Sequence, residues 1–156
     1  MNTLATDRSR RAGGFTLIEL MIAVVIAAIL LSITVPLYMD QIRKSRRTEA
    51  KSAVLDLAGR EERLFSVNNA YSATPSDLGY GAVGDTFPIT IGGGYYQLTV
   101  AVPVTVPPNT TFTVTATAIS TDQLNDTDCR TYTVNQLGVQ TATNASSALN
   151  TAACWR

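Results

Sequence analysis

The chain has 156 residues with twelve basic and twelve acidic side chains, so its formal net charge is zero at pH 7. It contains two cysteines and no histidine, which removes the commonest general base and the commonest metal ligand from the candidate chemistries. Beyond Leu64 only Arg130 and Arg156 are basic against five aspartates, a net charge of −3 that disfavours a nucleic-acid-binding face in this part.

A short basic leader precedes a long apolar run. Arg8, Arg10 and Arg11 lie in the leader, and the run from Phe15 to Leu37 has 23 residues with a single charge, Glu19. That length crosses the roughly 30 Å hydrocarbon core as a helix. The three arginines favour a cytoplasmic leader and an exported remainder, although the basic residues after the run outnumber them and leave the orientation open by charge alone.

Two residues inside the apolar run are unusual there. A carboxylate such as Glu19 costs about 2.5 to 3.5 kcal/mol at the centre of a membrane helix, and it usually has a partner or a function. Glu19 either lies near the headgroups at little cost or pairs with a positive group, such as the amine that a cut between Gly14 and Phe15 would free. Pro36 removes one backbone donor, and we expect a kink or a local loosening there.

The apolar run continues into an amphipathic helix from Tyr38 to about Phe65. One stripe recurs at spacings of three and four residues and consists of Ala50, Ala53, Val54, Leu57, Ala58, Glu61, Leu64 and Phe65. The opposite face carries Lys51, Arg60, Glu62 and Arg63. We interpret the Glu61–Glu62 pair as helix surface rather than as an acid and base pair, so the sequence predicts no enzyme.

A basic cluster lies early in this amphipathic helix and consists of Arg43, Lys44, Arg46, Arg47 and Lys51. The simplest interpretation is a solvated helix face. Contact with anionic headgroups or with acidic neighbouring subunits is the main alternative, and direct DNA binding is a further one.

The chain from 66 to 94 loses the helical periodicity and is rich in glycine, proline and asparagine, which predicts a long irregular connection. Inside it, residues 70–78 predict a packed turn with Tyr71 and Leu78 as anchors. The triplet Gly92–Gly93–Gly94 lacks the lysine and the following helix of a phosphate-binding loop.

Strand-like alternation follows in four segments: Tyr96–Val102, Thr111–Ala118, Thr131–Asn135 and about Val139–Thr141. Pro103, Pro107 and Pro108 bound the connection between the first two.

Antiparallel strands with one apolar face need a cover, and the amphipathic half of the long helix supplies it. We therefore predict an α+β fold, in which a long N-terminal helix packs on an antiparallel β-meander of about four strands. About 50 helical residues leave roughly 90 for one small domain, which is too few for two.

Cys129 and Cys154 both lie in the part expected to be exported, where an even pair indicates a disulfide. Two free thiols are the alternative, and the lack of histidine and of C-x-x-C spacing disfavours a metal site. The disulfide and Trp155 would hold the polar tail.

The residues Asp122, Asn125, Asp126 and Asp128 offer oxygens for calcium, but a polar turn before Cys129 is the simpler interpretation.

The stretch from Gly14 through Phe15, Thr16, Leu17, Ile18 and Glu19 to Leu20 resembles the processing site of type IV pilins. The motif combines a basic leader, a glycine before the cut, an aromatic residue after it and a lone glutamate in an apolar helix. Pro36 and Tyr38 also stand where that family commonly has them. An ordinary secretory signal would lose its apolar region on cleavage, and this run has no polar cleavage region behind it.

The resemblance implies that a prepilin peptidase cuts between Gly14 and Phe15 and methylates the amine of Phe15. It implies a removed leader at 1–14, a transmembrane and assembly helix at 15–37, an amphipathic continuation at 38–65 and a globular head at 66–156. Glu19 would pair with the amine of a neighbouring Phe15 and thereby set the axial register.

A second part of the resemblance lies near the carboxyl end. Asp128–Cys129 leads into a strand with Asn135, Gln136 and Gly138 behind it, and Cys154–Trp155 closes the chain, which is similar to PilE-like minor pilins of Gram-negative bacteria. The resemblance implies a single-pass inner-membrane protein with a periplasmic head. Inner-membrane assembly machinery then packs it with other pilin subunits into an extracellular pilus, or fimbrium.

The expected function is that of a structural subunit, minor in number, that supports pilus biogenesis, adhesion, twitching motility or DNA uptake. Its partners would be the lipid bilayer before assembly and other pilins afterwards, with no cofactor and with nucleic acid as a disfavoured partner. Two alternatives remain: a binding module displayed on the filament as a receptor for DNA or a surface, and a type II secretion pseudopilin.

Overall fold

A computed structural model of the protein describes residues 14–103 and 109–156. Residues 1–13 of the leader, with Arg8, Arg10 and Arg11, lie outside the described residues. Pro107 and Pro108 lie outside them as well. The chain divides into two units, Met1–Met39 and Asp40–Arg156. Helix α1, Leu17–Asn68, runs through the boundary between them.

In the first unit, α1 begins with a side-chain cap. The hydroxyl of Thr16 accepts a hydrogen bond from the backbone N–H of Glu19 at 3.3 Å, in the T-x-x-E spacing of a capping box. Further along, the hydroxyls of Ser32 and Thr34 donate to the carbonyls of Ile29 and Leu30 at 2.7 and 2.8 Å. These polar side chains are thus satisfied within the helix itself, as an apolar environment requires.

The apolar part of α1 is long enough to cross a membrane. One 18-residue window of the helix has a mean hydropathy of 2.8, and none of it is buried by the residues that the structure describes. Pro36 lies inside α1, so the helix continues past it. The kink expected at Pro36 stays a prediction.

In the second unit, an antiparallel sheet has the strand order β1-β2-β3-β4-β5, which is a simple meander. The strands are β1 Ile89–Ile91, β2 Tyr96–Ala101, β3 Thr113–Ala118, β4 Thr131–Asn135 and β5 Gln140–Thr143. The short helix α2, Thr121–Leu124, lies between β3 and β4, and a second short helix, α3, Thr151–Cys154, follows β5. The α+β prediction is confirmed, with five strands where about four were expected.

The additional strand, β1, lies inside the segment predicted to be an irregular connection. It has three residues, too few for alternation to be recognised, and it exists because it pairs with β2, as Ile91 does with Tyr96. The return between the two strands is the short 3-10 helix Gly92–Gly94, whose glycines have φ values of +66°, +61° and +97°. Side chains other than glycine rarely adopt this backbone, so the triplet serves the turn.

The core of the second unit lies between α1 and one face of the sheet. The helix contributes Ala50, Val54, Leu57 and Ala58. Alternate residues of the strands face them, among them Tyr96, Leu98, Val114, Ala116, Tyr132 and Val134. The predicted helical stripe and the predicted strand alternation therefore meet in one apolar layer.

The start of the connection after α1 packs as predicted. Tyr71 and Leu78 are 6% and 4% exposed. The Tyr71 ring stacks on Phe65 at 4.6 Å between centroids and meets Phe112 edge-on at 4.7 Å. A short 3-10 helix, Pro75–Leu78, completes this turn.

The carboxyl end is held at two points. Cys129 and Cys154 form a disulfide with a Cα–Cα distance of 5.7 Å. The indole Nε1 of Trp155 donates to the carbonyl of Thr141 at 2.9 Å, and its ring meets Tyr132 edge-on. Both anchors expected for the tail are present.

Candidate functional site

The residues expected to direct processing and assembly lie together at the start of α1. Gly14, Phe15 and Glu19 are all exposed, and Phe15 is 83% exposed. Glu19 stands in the first helical turn, where a negative side chain is favoured by the helix dipole. The capping contact with Thr16 uses the backbone N–H of Glu19, so the Glu19 side chain acts on the helix start only through its charge. The cleavage, the methylation and the pairing of Glu19 with a neighbour stay predictions.

The apolar part of α1 offers a continuous exposed surface. Its large side chains from Phe15 to Tyr38 are each more than half exposed. Contiguous apolar surface of this size is not left in water, so lipid tails or other apolar helices must cover it.

The basic cluster of α1 is not the solvated face that the sequence favoured. Arg46 lies over the ring of Tyr95, with its guanidinium carbon 3.4 Å from the ring centroid. Lys51 Nζ donates to the carbonyl of Arg156 at 3.0 Å. Only Lys44 of the cluster is exposed, because the turns before β2 and β4 and the chain end pack onto this part of the helix.

Arg47 and Asp126 form the centre of this packing. The Nε and Nη2 atoms of Arg47 donate to the two carboxylate oxygens of Asp126 at 2.6 and 2.7 Å. The backbone N–H groups of Asp128 and Cys129 both donate to Asp126 at 3.1 Å, and Gln123 Nε2 donates at 3.3 Å. The side chains of Arg47 and Asp126 are 16% and 1% exposed.

This ion pair connects α1 to the turn that precedes the first cysteine of the disulfide. Burial lowers the pKa of Arg47, but the hydrogen bonds and the charge of Asp126 outweigh it and raise the pKa above its ordinary value. Arg47 therefore stays charged at any physiological pH.

A polar cleft of about 250 Å³ lies beside the ion pair. It is lined by Asp40, Arg43, Lys44, Arg47 and residues 125–128, so that three basic side chains face three acidic ones. Asp126, one of the proposed calcium ligands, is occupied by Arg47. Across residues 14–103 and 109–156, no group of three or more candidate ligands is placed to hold a metal ion. The hydrogen bonds that Asp126 accepts from Gln123, Asp128 and Cys129 make this segment a polar turn.

The structure also changes the interpretation of Glu61. The sequence analysis included Glu61 in the helical stripe but interpreted the Glu61–Glu62 pair as helix surface, and Glu61 is 0% exposed. It follows Leu57 and Ala58 at spacings of four and three on the buried stripe, so the docking of the next segment covers it. Burial raises the pKa of Glu61 to about 7, with the charges of Glu62 and Asp77 adding to the rise and the hydrogen bond from Ser72 opposing it.

Comparison with protein families gives two matches. Residues 36–133 match the family described as type IV minor pilin ComP, DNA uptake sequence receptor. Residues 9–35 match the prokaryotic N-terminal methylation motif, which covers Gly14, Phe15 and Glu19.

Curated relatives match over about half of the chain. Fimbrial protein Q of Moraxella bovis is 36% identical over 53% of this chain and 60% of its own length. A fimbrial protein of Pseudomonas aeruginosa is 44% identical over 43% of this chain and 45% of its own length. The type II secretion system core protein G of Aeromonas hydrophila is 35% identical over 46% of this chain and 50% of its own length. The matched part of this chain thus spans less than two thirds of each relative.

One solved structure is also similar, a type IV pilin from Shewanella oneidensis. It is 19% identical, with a TM-score of 0.43, and the match covers 63% of this chain and 89% of that one.

Proposed function

Because the chain belongs to the family of type IV minor pilins, we propose that it is a minor structural subunit of a type IV pilus. The observation that carries the proposal is the apolar half of α1, which the described residues leave exposed and which needs a cover. A lipid bilayer covers it before assembly, and the apolar helices of other pilins cover it in the filament.

The proposed maturation takes place near the N-terminus, between the basic leader and the apolar helix. Prepilin peptidase cuts between Gly14 and Phe15 and methylates the Phe15 amine, and the N-terminal methylation motif supports this proposal. The leader at 1–14 is lost, the helix at 15–37 stays with the mature protein, and 38–65 continue it into the head at 66–156. The head faces the periplasm until the inner-membrane machinery moves the subunit into the extracellular pilus.

In assembly, the carboxylate of Glu19 pairs with the amine of a neighbouring Phe15. Each charge compensates the other inside an apolar environment, where an unpaired charge is strongly destabilising, and this selects one axial register. A competing explanation for Glu19 is its negative charge in the first helical turn, which stabilises the helix start within one chain through the helix dipole.

Three substitutions separate these two roles. Thr16→Val removes the side-chain cap and keeps the carboxylate, Glu19→Gln removes the charge and keeps the side-chain length, and Glu19→Ala removes the side chain beyond Cβ. Both Glu19 variants keep the backbone N–H that Thr16 caps. If the charge sets the register, both Glu19 variants lose incorporation into sheared surface filaments while Thr16→Val retains most of it. Loss in Thr16→Val equal to that in Glu19→Ala would show that the helix cap is what matters.

Intact mass spectrometry of the protein from filaments and from membranes tests the maturation. The expected mass begins at a methylated Phe15 and includes one disulfide. An unprocessed chain would contradict the roles of Gly14 and Phe15. Recovery with a secretion complex instead of surface filaments would favour the pseudopilin alternative, which the similarity to core protein G keeps open.

DNA reception is the second candidate function. The family description supports it, because it names a DNA uptake sequence receptor. The charges of the described residues weigh against it: Arg47 is neutralised by Asp126, Arg43 contacts Asp40 at 2.6 Å, and three acidic side chains line the polar cleft. Any DNA contact would therefore rely on few phosphate-binding side chains and more on contacts with bases or groove shape.

Selection from a random-sequence duplex pool at low salt tests this candidate. A receptor enriches one sequence and loses its affinity only shallowly with salt, since each neutralised phosphate contributes about 0.9 to the logarithmic slope. Failure to retain any duplex at low salt would leave the structural role alone.

A further inference from the structure

A half-satisfied carboxylate lies buried where the connection leaves α1. Glu61 is 0% exposed, and its Oε2 accepts a hydrogen bond from the backbone N–H of Ser72 at 3.2 Å. Among the described residues its Oε1 has no hydrogen-bond partner. Residues 104–108, which the structure does not describe, carry no ionisable side chain. An ionised carboxylate in this position loses its hydration without full replacement, whereas the protonated form is tolerated.

The charged groups around Glu61 also favour its neutral form. On α1, Glu62 accepts a hydrogen bond from the hydroxyl of Tyr71 at 3.0 Å. On the connection, Asp77 accepts one from the hydroxyl of Ser72 at 2.6 Å. Both carboxylates repel a negative charge on Glu61.

The basic and apolar neighbours do not offset this repulsion. Arg60, the nearest basic residue along α1, donates instead to Asp56 at 2.9 Å and to the carbonyl of Leu78 at 3.1 Å. Phe112, which packs on Tyr71, brings no charge.

We propose that Glu61 is a proton-controlled clasp for residues 69–79, named here the clasp segment. While Glu61 carries its proton, the segment stays packed on α1. When Glu61 releases the proton to solvent, the carboxylate gains hydration only if the segment moves away, so ionisation favours local opening.

The clasp segment is also held by the burial of Tyr71 and Leu78 and by hydrogen bonds with Glu62, Arg60 and Asn109. These contacts are confined to one short segment, which can open locally without global unfolding. Tyr71 exchanges hydrogen bonds with Asn109, from its own backbone N–H at 3.0 Å and from the Asn109 side chain at 3.4 Å. At the far end, Gly79 follows the 3-10 helix in a left-handed conformation with φ +66°. The hydrogen bonds with Asn109 involve no carboxylate. The bond from the Tyr71 hydroxyl to Glu62 does, and Glu62→Gln separates its share of the pH response.

The size of the response follows from proton linkage. Burial raises the pKa of Glu61 to about 7 in the closed state, against an ordinary value of 4.5 once the segment opens. The open state binds fewer protons over this range, so the opening equilibrium increases by about 30-fold between pH 5.5 and pH 8.5. The clasp is thus closed in mildly acidic surroundings and loosened in mildly alkaline ones.

Hydrogen exchange of the full chain in detergent micelles tests the clasp, with rates corrected for the intrinsic effect of pH. Peptides covering the clasp segment should lose about 30-fold protection between pH 5.5 and 8.5, and peptides covering β3 should not. In Glu61→Gln the change should vanish, because the amide does not titrate. Glu62→Gln is the matched control and should keep most of the response.

The proposal is overturned if Glu61→Gln retains the pH response or if the wild type shows none. Should Glu61→Gln fail to fold, carbon NMR of the wild-type carboxyl groups decides. A Glu61 titration near pH 7 supports the clasp, and one near its ordinary 4.5 refutes it. None of these results depends on whether the protein is a pilus subunit.

Discussion

The ion pair between Arg47 and Asp126 should contribute more to stability than its position on a helix surface suggests. Arg47→Met keeps much of the side-chain stem and removes both donors to Asp126. Asp126 then stays 1% exposed with a negative charge and only the bonds from Gln123 and two backbone N–H groups. Removing one partner of a buried pair in this way costs about 3 to 5 kcal/mol of unfolding free energy.

That loss converts into a clear shift of the melting temperature. The second unit, Asp40–Arg156, has 117 residues. At about 2.1 cal/mol/K of unfolding entropy per residue, 3 to 5 kcal/mol lowers its Tm by about 12 to 20 °C. Trp155 is the sole tryptophan of the chain and packs on Tyr132, so its fluorescence reports the transition.

Arg43→Met is the matched control, because Arg43 pairs with an Asp40 side chain that is 60% exposed. An exposed pair contributes about 0 to 1 kcal/mol, so this variant should melt within a few degrees of the wild type. A second variant, Arg47→Met with Asp126→Asn, should recover much of the loss because no buried charge remains. Equal and small shifts in Arg43→Met and Arg47→Met would refute the reasoning.

Three further predictions concern other contacts. Replacing Cys129 and Cys154 by serine should lower the unfolding free energy by about 3.5 kcal/mol, since the disulfide closes a loop with a sequence separation of 25; urea unfolding measures this. The stability of the wild type should fall as pH rises from 4.5 to about 7, because over that range the unfolded chain releases the Glu61 proton while the folded chain keeps it. Glu61→Gln should lack this slope and gain at most about 3 kcal/mol over the wild type at pH 8, and an unchanged slope would contradict it. Arg46→Lys should lose about 0.5 to 1 kcal/mol and Arg46→Ala more, because the guanidinium stacks on Tyr95; indistinguishable unfolding curves for the two variants would show that stacking is unimportant.

The elements that follow a local rule were predictable. The apolar run and its amphipathic continuation predicted one helix, and α1 spans Leu17–Asn68. Period-two alternation located β2 and β3, and Tyr71 and Leu78 were recognised as anchors because they are the large apolar residues of a polar turn. Each of these patterns depends on residues close together in sequence.

β1 and Arg47 depend on partners that no local rule identifies. β1 is a strand only because β2 offers it a partner. Arg47 looked solvated because its partner, Asp126, is 79 residues away. Glu61 was interpreted as surface because its side chain is charged, although its spacing of four residues from Leu57 already placed it on the buried stripe.

The sequence by itself determined where an apolar helix must be covered, which cysteines pair and which strand faces are apolar, because periodicity and composition act over a few residues. Only the tertiary structure decided the environment of each charge. The docking of the turn before β4 onto α1 buried Asp126 against Arg47, and the docking of the clasp segment buried Glu61. Burial changes the free energy of a charge far more than it changes that of an apolar group, so the charged residues are those whose roles local patterns describe least well.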